Sequence, residues 1–150
     1  MPRGEEWRIE QGYLQPDASQ PLQEGRLRRV THASGEQTHV HTVKRGVGRV
    51  REETERTITA QEFAAAWPRT EGRRLSKLRT RVREGALVWE VDQFDGLPLV
   101  LAECELPERD TALSIPGWLA PHIEREVTEE PAFRNYELAL RASRAPPRGQ

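Results

Sequence analysis

The chain has 150 residues, the size of one domain and too short for two independent cores. Its 23 Lys plus Arg against 24 Asp plus Glu leave a formal charge of −1, so no whole-surface electrostatic case exists for binding duplex nucleic acid or an anionic membrane. The lone cysteine, Cys104, cannot form an internal disulfide, and no apolar run approaches the roughly 20 residues needed to cross a bilayer.

The opening segment MPRGEEWRIEQ lacks the apolar centre of a signal peptide, and a cytoplasmic location is expected. Residues 7–14 read as a strand and the PDASQP stretch that follows as a loop. Strands over 25–31 and 38–44 flank the turn-forming Ala33, Ser34 and Gly35, which is hairpin grammar. Gly46 and Gly48 break the chain before a strand over 49–58. Thr59-Ala60-Gln61-Glu62 is a capping-box pattern that opens a short helix through Trp67, with Pro68 after it. Residues 75–83, 87–94 and 98–106 make three more strands joined at Glu84-Gly85 and Asp95-Gly96, both favourable turn pairs for an antiparallel meander. Residues 107–121 read as loop with one helical turn near Trp118, and Pro131 opens a terminal helix bearing Phe133, Tyr136, Leu138 and Leu140. A single domain over 1–141 results, with 142–150, rich in Pro and Arg, as a disordered tail.

Charge recurs at every second residue in the β-like segments: Arg26 and Arg28; Arg51, Glu53 and Glu55; Lys77, Arg79 and Arg81; Glu90 and Asp92; Glu103 and Glu105. Strand side chains alternate faces, so each set points to one side of its strand. The opposite parity holds Leu27, Leu78, Val82, Trp89, Val91, Ala102 and Cys104, an apolar surface available for packing. A sheet curled with the charged face inward would gather cations and anions in one concave site, the equipment for gripping a metal-bound polyphosphate. Taken alone, such alternation is ordinarily the solvated face of an amphipathic sheet. For Lys77, Arg79 and Arg81 the simpler account is cross-strand pairing with Glu90 and Asp92, worth on the order of a few tenths of a kcal/mol per exposed pair. Pairing and ligand binding are compatible.

The basic residues are nearly all arginine, whose forked donors suit phosphate and carboxylate, with lysine only at Lys44 and Lys77. His39 and His41 share a strand face opposite Lys44 and so point away from the charged side. With His32 and His122 they lack the spacing of a closed zinc site. Cys104 lies on the apolar parity and reads as a buried, inert thiol. Trp89 and Trp67 read as packing residues, leaving Trp7 and Trp118 as candidates for contacts at an opening. Gly46-Val47-Gly48 lacks the rest of any phosphate-loop motif and reads as a turn.

Several segments in shared order resemble the CYTH domain, the triphosphate tunnel metalloenzyme family, and its small bacterial members in particular. Gln11-Gly12-Tyr13-Leu14 resembles the QGYL strand and Arg26-Leu27-Arg28 the R-x-R. His41-Thr42-Val43-Lys44 is similar to L-T-I-K, Arg51 with Glu53 and Glu55 to R-x-E-x-E, and Leu75 with Lys77 and Arg79 to I-x-K-x-R. Trp89 to Phe94 matches W-E-x-D-x-F, and Leu101 to Leu106 matches L-A-E-x-E-L. Pro116-Gly117-Trp118-Leu119, Glu126-Val127-Thr128, Asn135 and Leu138-Ala139 resemble the family's C-terminal region. The family's N-terminal E-x-E-x-K strand has no counterpart before Gln11, where Glu5 and Glu6 have the wrong spacing and no following lysine.

The resemblance implies an α+β fold, an antiparallel β-barrel forming a tunnel with short flanking helices. It implies a metal-dependent phosphohydrolase, a triphosphatase acting on inorganic triphosphate or a related phosphoanhydride, with Mg²⁺ or Mn²⁺ as cofactor. Arg26, Arg28, Lys44, Arg51, Lys77, Arg79 and Arg81 would bind phosphate, and Glu103, Glu105, Glu53, Glu55 and Asp92 would hold metal. Lys77, Arg79 and Glu53 are the catalytic candidates, with a carboxylate serving as base toward water. The expected partner is triphosphate or a nucleoside triphosphate, without duplex nucleic acid or membrane, and a homodimer is compatible with it. Because the E-x-E-x-K strand is unmatched, two alternatives stand beside hydrolysis. One is a module that binds polyphosphate or nucleotide without turnover, and the other a partner-binding fragment whose sheet is completed by another strand.

Overall fold

The computed structural model describes residues 3–45, 52–106, 114–128 and 130–144. Among these residues seven strands form one sheet: β1 (Glu5–Tyr13), β2 (Arg26–His32), β3 (Gln37–Arg45), β4 (Glu52–Thr57), β5 (Arg74–Glu84), β6 (Leu87–Phe94) and β7 (Val100–Cys104). Their order is β4-β3-β2-β1-β5-β6-β7, with every neighbouring pair antiparallel. The antiparallel α+β expectation holds. The sheet is not a closed ring, however, because among the described residues β4 and β7 each pair on one side only.

Register decides what each face carries. Directly opposed residues share a face, and the pairs run Glu53↔Lys44, Glu55↔Thr42, Thr42↔Arg26, Arg26↔Tyr13, Arg28↔Gln11 and Gln11↔Leu75 across the first half of the sheet. They continue Ile9↔Lys77, Lys77↔Phe94, Arg79↔Asp92, Arg81↔Glu90 and Glu90↔Glu103 across the second. The alternating charges of five strands therefore meet on one face. A slip of one residue at any ladder would send part of the set to the other side.

The opposite face is covered by α1 (Ala60–Ala66) and the 3₁₀ turn Trp67–Thr70 that continues it. Thr59 caps α1 in a full capping box: its hydroxyl accepts from the Glu62 N–H, and the Glu62 carboxylate accepts from the Thr59 N–H. Phe63 and Ala66 then pack with Leu14, Leu22, Leu27 and Ile58. Gly12 is required where β1 passes under the 3₁₀ turn, since a Cβ there would lie 2.6 Å from Thr70 Cβ. Arg69 ties the β1–β2 loop down, donating to the carbonyls of Leu22, Gln15 and Gln23.

On the charged face, α2 (Asn135–Arg144) covers one end. Leu138 and Ala139, both 0% exposed, pack with Leu75 and Phe94, and Tyr13, Leu97, Leu99 and Leu101 border them. Pro131 opens a separate 3₁₀ turn, Pro131–Phe133, so the helix proper begins later than the sequence pattern suggests. The helix also continues through Arg144, and Ser143 hydrogen-bonds to Arg74, so residues 142–144 belong to it and not to a tail. The remainder of the expected tail, 145–150, lies outside the described residues. No helix among the described residues is long and apolar enough to cross a membrane.

Candidate functional site on the charged face of the sheet

Three strands place the centre of this face. β5 contributes Lys77, Arg79 and Arg81 at successive same-side positions, β6 contributes Asp92 and Glu90 opposite them, and β1 contributes Ile9 and Gln11 on the other flank. Lys77 is 1% exposed, Asp92 2% and Arg79 7%, so these charges are enclosed and do not form a solvated surface. Asp92 is fully engaged: Oδ1 accepts from Arg79 Nε at 2.8 Å, and Oδ2 accepts from Arg79 Nη2 at 3.0 Å and lies 3.0 Å from Lys77 Nζ. Glu90 Oε2 accepts from Arg79 Nη1 at 3.2 Å and Arg81 Nε at 3.1 Å. Cross-strand pairing is thus realised here, in an enclosed setting.

These contacts set the protonation states. Burial pulls the Lys77 ammonium down to about 8, with Asp92 opposing and Arg79 and Arg28 reinforcing the shift. Burial by itself would raise the Asp92 carboxyl, but the Arg79 hydrogen bonds and the nearby Lys77 and Arg79 charges outweigh it and hold Asp92 below the usual range. Arg79 moves up: burial works against its charge, and Asp92 more than compensates.

The β2 side differs. Gly25, at φ +105°, lets the chain enter β2 close against Thr42, and Arg26 follows immediately. Arg28 donates Nε and Nη2 to Gln11 Oε1 at 3.1 and 3.0 Å, a neutral acceptor, while Gln11 Nε2 donates to Tyr13 Oη at 3.3 Å. Burial, with Arg26 and Arg79 adding repulsion, lowers the Arg28 guanidinium to about 10. Arg26 Nη2 donates to Thr42 Oγ1 at 3.3 Å, and its Nε is buried with no hydrogen-bond partner. Burial raises the Tyr13 phenol, with Arg26 opposing. Neither arginine forms an ion pair among the described residues.

At the sheet's flanks, Lys44, Glu53 and Glu55 face the same way from β3 and β4 and are exposed. Glu103 faces the site from β7, and Glu105 follows the end of that strand. Arg51 lies outside the described residues. Among the described residues no three His, Cys, Asp or Glu side chains converge as a ready-made metal cage. The acidic donors are instead divided between β4 and β7, and Asp92 is held by cations. His39 and His41 lie on the other face as their parity requires: His39 packs against Phe63 at 5.1 Å, and His41 Nε2 is 2.6 Å from the Glu24 carbonyl. Cys104 is half-buried, because β7 is the sheet's last strand, and burial raises its thiol.

Three site-facing residues escaped the charge pattern because they are neutral: Gln11, Tyr13 and Asn135. The parity of β1 puts Gln11 and Tyr13 on one side, but only the register with β2 shows that this is the side of Arg26 and Arg28. Asn135 reaches Lys77 from α2 at 3.5 Å. Trp7 also faces the site, at the end away from α2. Arg81 lies 4.5 Å over its ring, and its indole N–H donates to Glu5. Trp118 donates to Glu84 at the far end of β5.

The chain is 38% identical over 105 residues to an inorganic triphosphatase of Nitrosomonas europaea, a match covering 66% of this chain and 66% of that protein. It is 38% identical over 66 residues to an inorganic triphosphatase of Acetivibrio thermocellus, covering 43% of this chain and 40% of that one. The matches thus span less than two thirds of these curated relatives. A solved crystal structure of an inorganic triphosphatase superposes with a TM-score of 0.62 at 31% identity, covering 93% of this chain and 90% of that one. No family model matches the chain.

Proposed function

Since the chain belongs to the family of these inorganic triphosphatases and is CYTH-like in fold, we propose that it hydrolyses inorganic triphosphate with the help of a divalent cation. The observation that carries this reading is the unmatched positive charge on the enclosed face. Arg28 is held by a neutral amide, and Arg26 keeps a buried N–H with no acceptor. A buried donor without a partner is costly, and a phosphate oxygen supplies the missing acceptor with opposite charge. Triphosphate, with about four negative charges, needs such an enclosed array because water and salt would screen the same contacts on an open surface.

In this reading Arg26, Arg28, Lys44 and Lys77 hold the phosphate oxygens, and Arg51, Arg79 and Arg81 add to the field. Asp92 and Gln11 keep Arg79, Lys77 and Arg28 aimed. The donor chemistry fits Mg²⁺ or Mn²⁺, which prefer oxygen ligands. Mg²⁺ is usually held by one or two carboxylates plus substrate phosphates, so a three-carboxylate cage is not needed. Glu103 and Glu105 on one flank and Glu53 and Glu55 on the other are the residues that would hold it, with Asp92 between them already engaged by Arg79 and Lys77. When bound, the cation would neutralise and orient the phosphates. Glu53 accepts the proton of a water whose oxygen attacks the terminal phosphorus; the new P–O bond forms as the bridging P–O bond breaks, releasing phosphate and diphosphate.

The test is phosphate release from inorganic triphosphate with Mg²⁺ or Mn²⁺. It should be abolished by omitting the cation and reduced at least about tenfold by Lys77→Ala and by Glu105→Gln, since charge-assisted contacts are worth about 1.5–3 kcal/mol. Activity indifferent to both substitutions would remove the site assignment. Triphosphate that raises the melting temperature without phosphate release would favour a binding module. A second reading has one observation in its favour: β4 and β7 leave outer edges unpaired among the described residues, so a further strand could add there. Concentration-dependent association without triphosphate turnover would support it.

A further inference from the structure

We propose that Asn135, the first residue of α2, is a positioning residue that aims the Lys77 ammonium at a phosphate on the charged face. The helix is fastened along β5 at two places. Ser143 Oγ accepts from the Arg74 N–H at 3.1 Å and donates to the Arg74 carbonyl at 3.3 Å, while Leu138 and Ala139 pack on Leu75 and Phe94. Eight residues of helix from Ser143 back to Asn135 cover about 12 Å, and three residues of strand from Arg74 to Lys77 cover about 10 Å. The two elements therefore bring Asn135 level with Lys77, and Asn135 Oδ1 lies 3.5 Å from Lys77 Nζ. Its neighbour Tyr136 sets the same end of the helix by meeting Tyr13 edge to face at 5.2 Å.

An ammonium has three N–H donors and no acceptor. Asp92 Oδ2 takes one at 3.0 Å and Asn135 Oδ1 a second, while the Phe94 ring, 5.4 Å from Nζ, closes another approach. The third donor is left for an anion. On a flexible four-carbon stem, the ammonium without the amide would settle onto Asp92 alone. The amide is also the right acceptor in kind: it fixes direction without cancelling charge, whereas a carboxylate there would compete with phosphate. The orientation of the amide follows from the same chemistry, since its NH₂ would be repelled by the ammonium.

The aim toward phosphate rests on the triphosphatase reading, but the Asn135–Lys77 link can be observed without it. The chain has two lysines, Lys44 and Lys77, so labelling lysine Nζ with ¹⁵N gives two ammonium signals, and Lys44→Arg assigns that of Lys77. In the full chain, Asn135→Ala should shift the Lys77 signal and speed its proton exchange about tenfold or more. Asn135→Asp should retain a protected signal. Tyr136→Ala, which disturbs the same end of α2 but spares the amide, should leave it close to wild type. An unchanged Lys77 signal in Asn135→Ala, or equal disturbance by Tyr136→Ala, overturns the inference. In turnover, Asn135→Ala should lower kcat/KM about tenfold, and Asn135→Asp should raise KM for triphosphate despite its protected lysine. A wild-type chain inert toward triphosphate would remove the functional reading and leave the lysine signal to decide this one.

Discussion

The two halves of the charged face solve the same problem in opposite ways. On the β5–β6 half, Lys77 and Arg79 share the Asp92 carboxylate and Arg79 and Arg81 share Glu90, so three cations are held by two carboxylates. On the β2 half, Arg26 and Arg28 are supported by Thr42 and Gln11, which orient them but leave their charge uncancelled. A buried ion network stays in place without ligand because every cation in it touches a carboxylate. A pair of partly buried guanidinium groups on neutral supports carries a standing desolvation cost that an anion relieves. In the proposed function the first half fixes the geometry of the site and offers one Lys77 N–H, while the second carries the larger share of positive charge with no carboxylate beside it.

The sharpest way to break this contrast is Asp92→Ala, which leaves Lys77 and Arg79 enclosed without their shared partner. It should destabilise the fold by about 3–5 kcal/mol in chemical denaturation, the range for removing one member of a buried ion pair. A loss below about 1 kcal/mol would place the network among surface ion pairs. On the other half, Arg28→Met should cost clearly less. Relief of an uncompensated charge offsets the roughly 1–3 kcal/mol of leaving the buried Gln11 oxygen without its donor, while kcat/KM for triphosphate falls about 10- to 100-fold. Equal loss of stability in both variants would erase the distinction.

A smaller effect separates the halves by pH. Burial puts Lys77 at about 8 in the fold, against 10.5 ordinarily. Below pH 8 both folded and unfolded chains carry the proton, and the cost of burying it is fully present. Between about 8 and 10.5 the unfolded chain binds more protons, so this group's contribution to stability improves with rising pH. Triphosphate binding should move the other way as the ammonium is lost. Melting temperatures across that window should therefore rise for wild type relative to Lys77→Met, while KM for triphosphate climbs. Parallel curves for the two chains would show that Lys77 keeps its ordinary value.

Much of the charged face was legible along the chain because strand parity has a period of two, and charge obeys that period at Arg26 and Arg28, at Lys77, Arg79 and Arg81, and at Glu90 and Asp92. Turn pairs such as Glu84-Gly85 and the Thr59 capping box marked element ends through local chemistry alone. Gln11, Tyr13 and Asn135 were not legible as site residues, since a neutral side chain breaks no charge pattern and gains meaning only beside its partner. The same holds for Arg69, Arg73 and Arg74, whose guanidinium groups serve backbone carbonyls at the end of β1, in the β1–β2 loop and in the 3₁₀ turn.

The amino-acid order by itself determined which residues share a side of each strand, where the tight turns between strands fall, and that one side would be ionic and the other apolar. Those are local properties, set by backbone geometry within a few residues. Only the tertiary structure decided that β1 lies between β2 and β5, that α2 closes one end over Lys77, and that Asp92 neutralises one set of cations while Gln11 merely steers another. Those outcomes depend on cross-strand register and helix docking between segments far apart in the chain. There a shift of one residue would exchange a carboxylate for an amide and a paired charge for a receptive one.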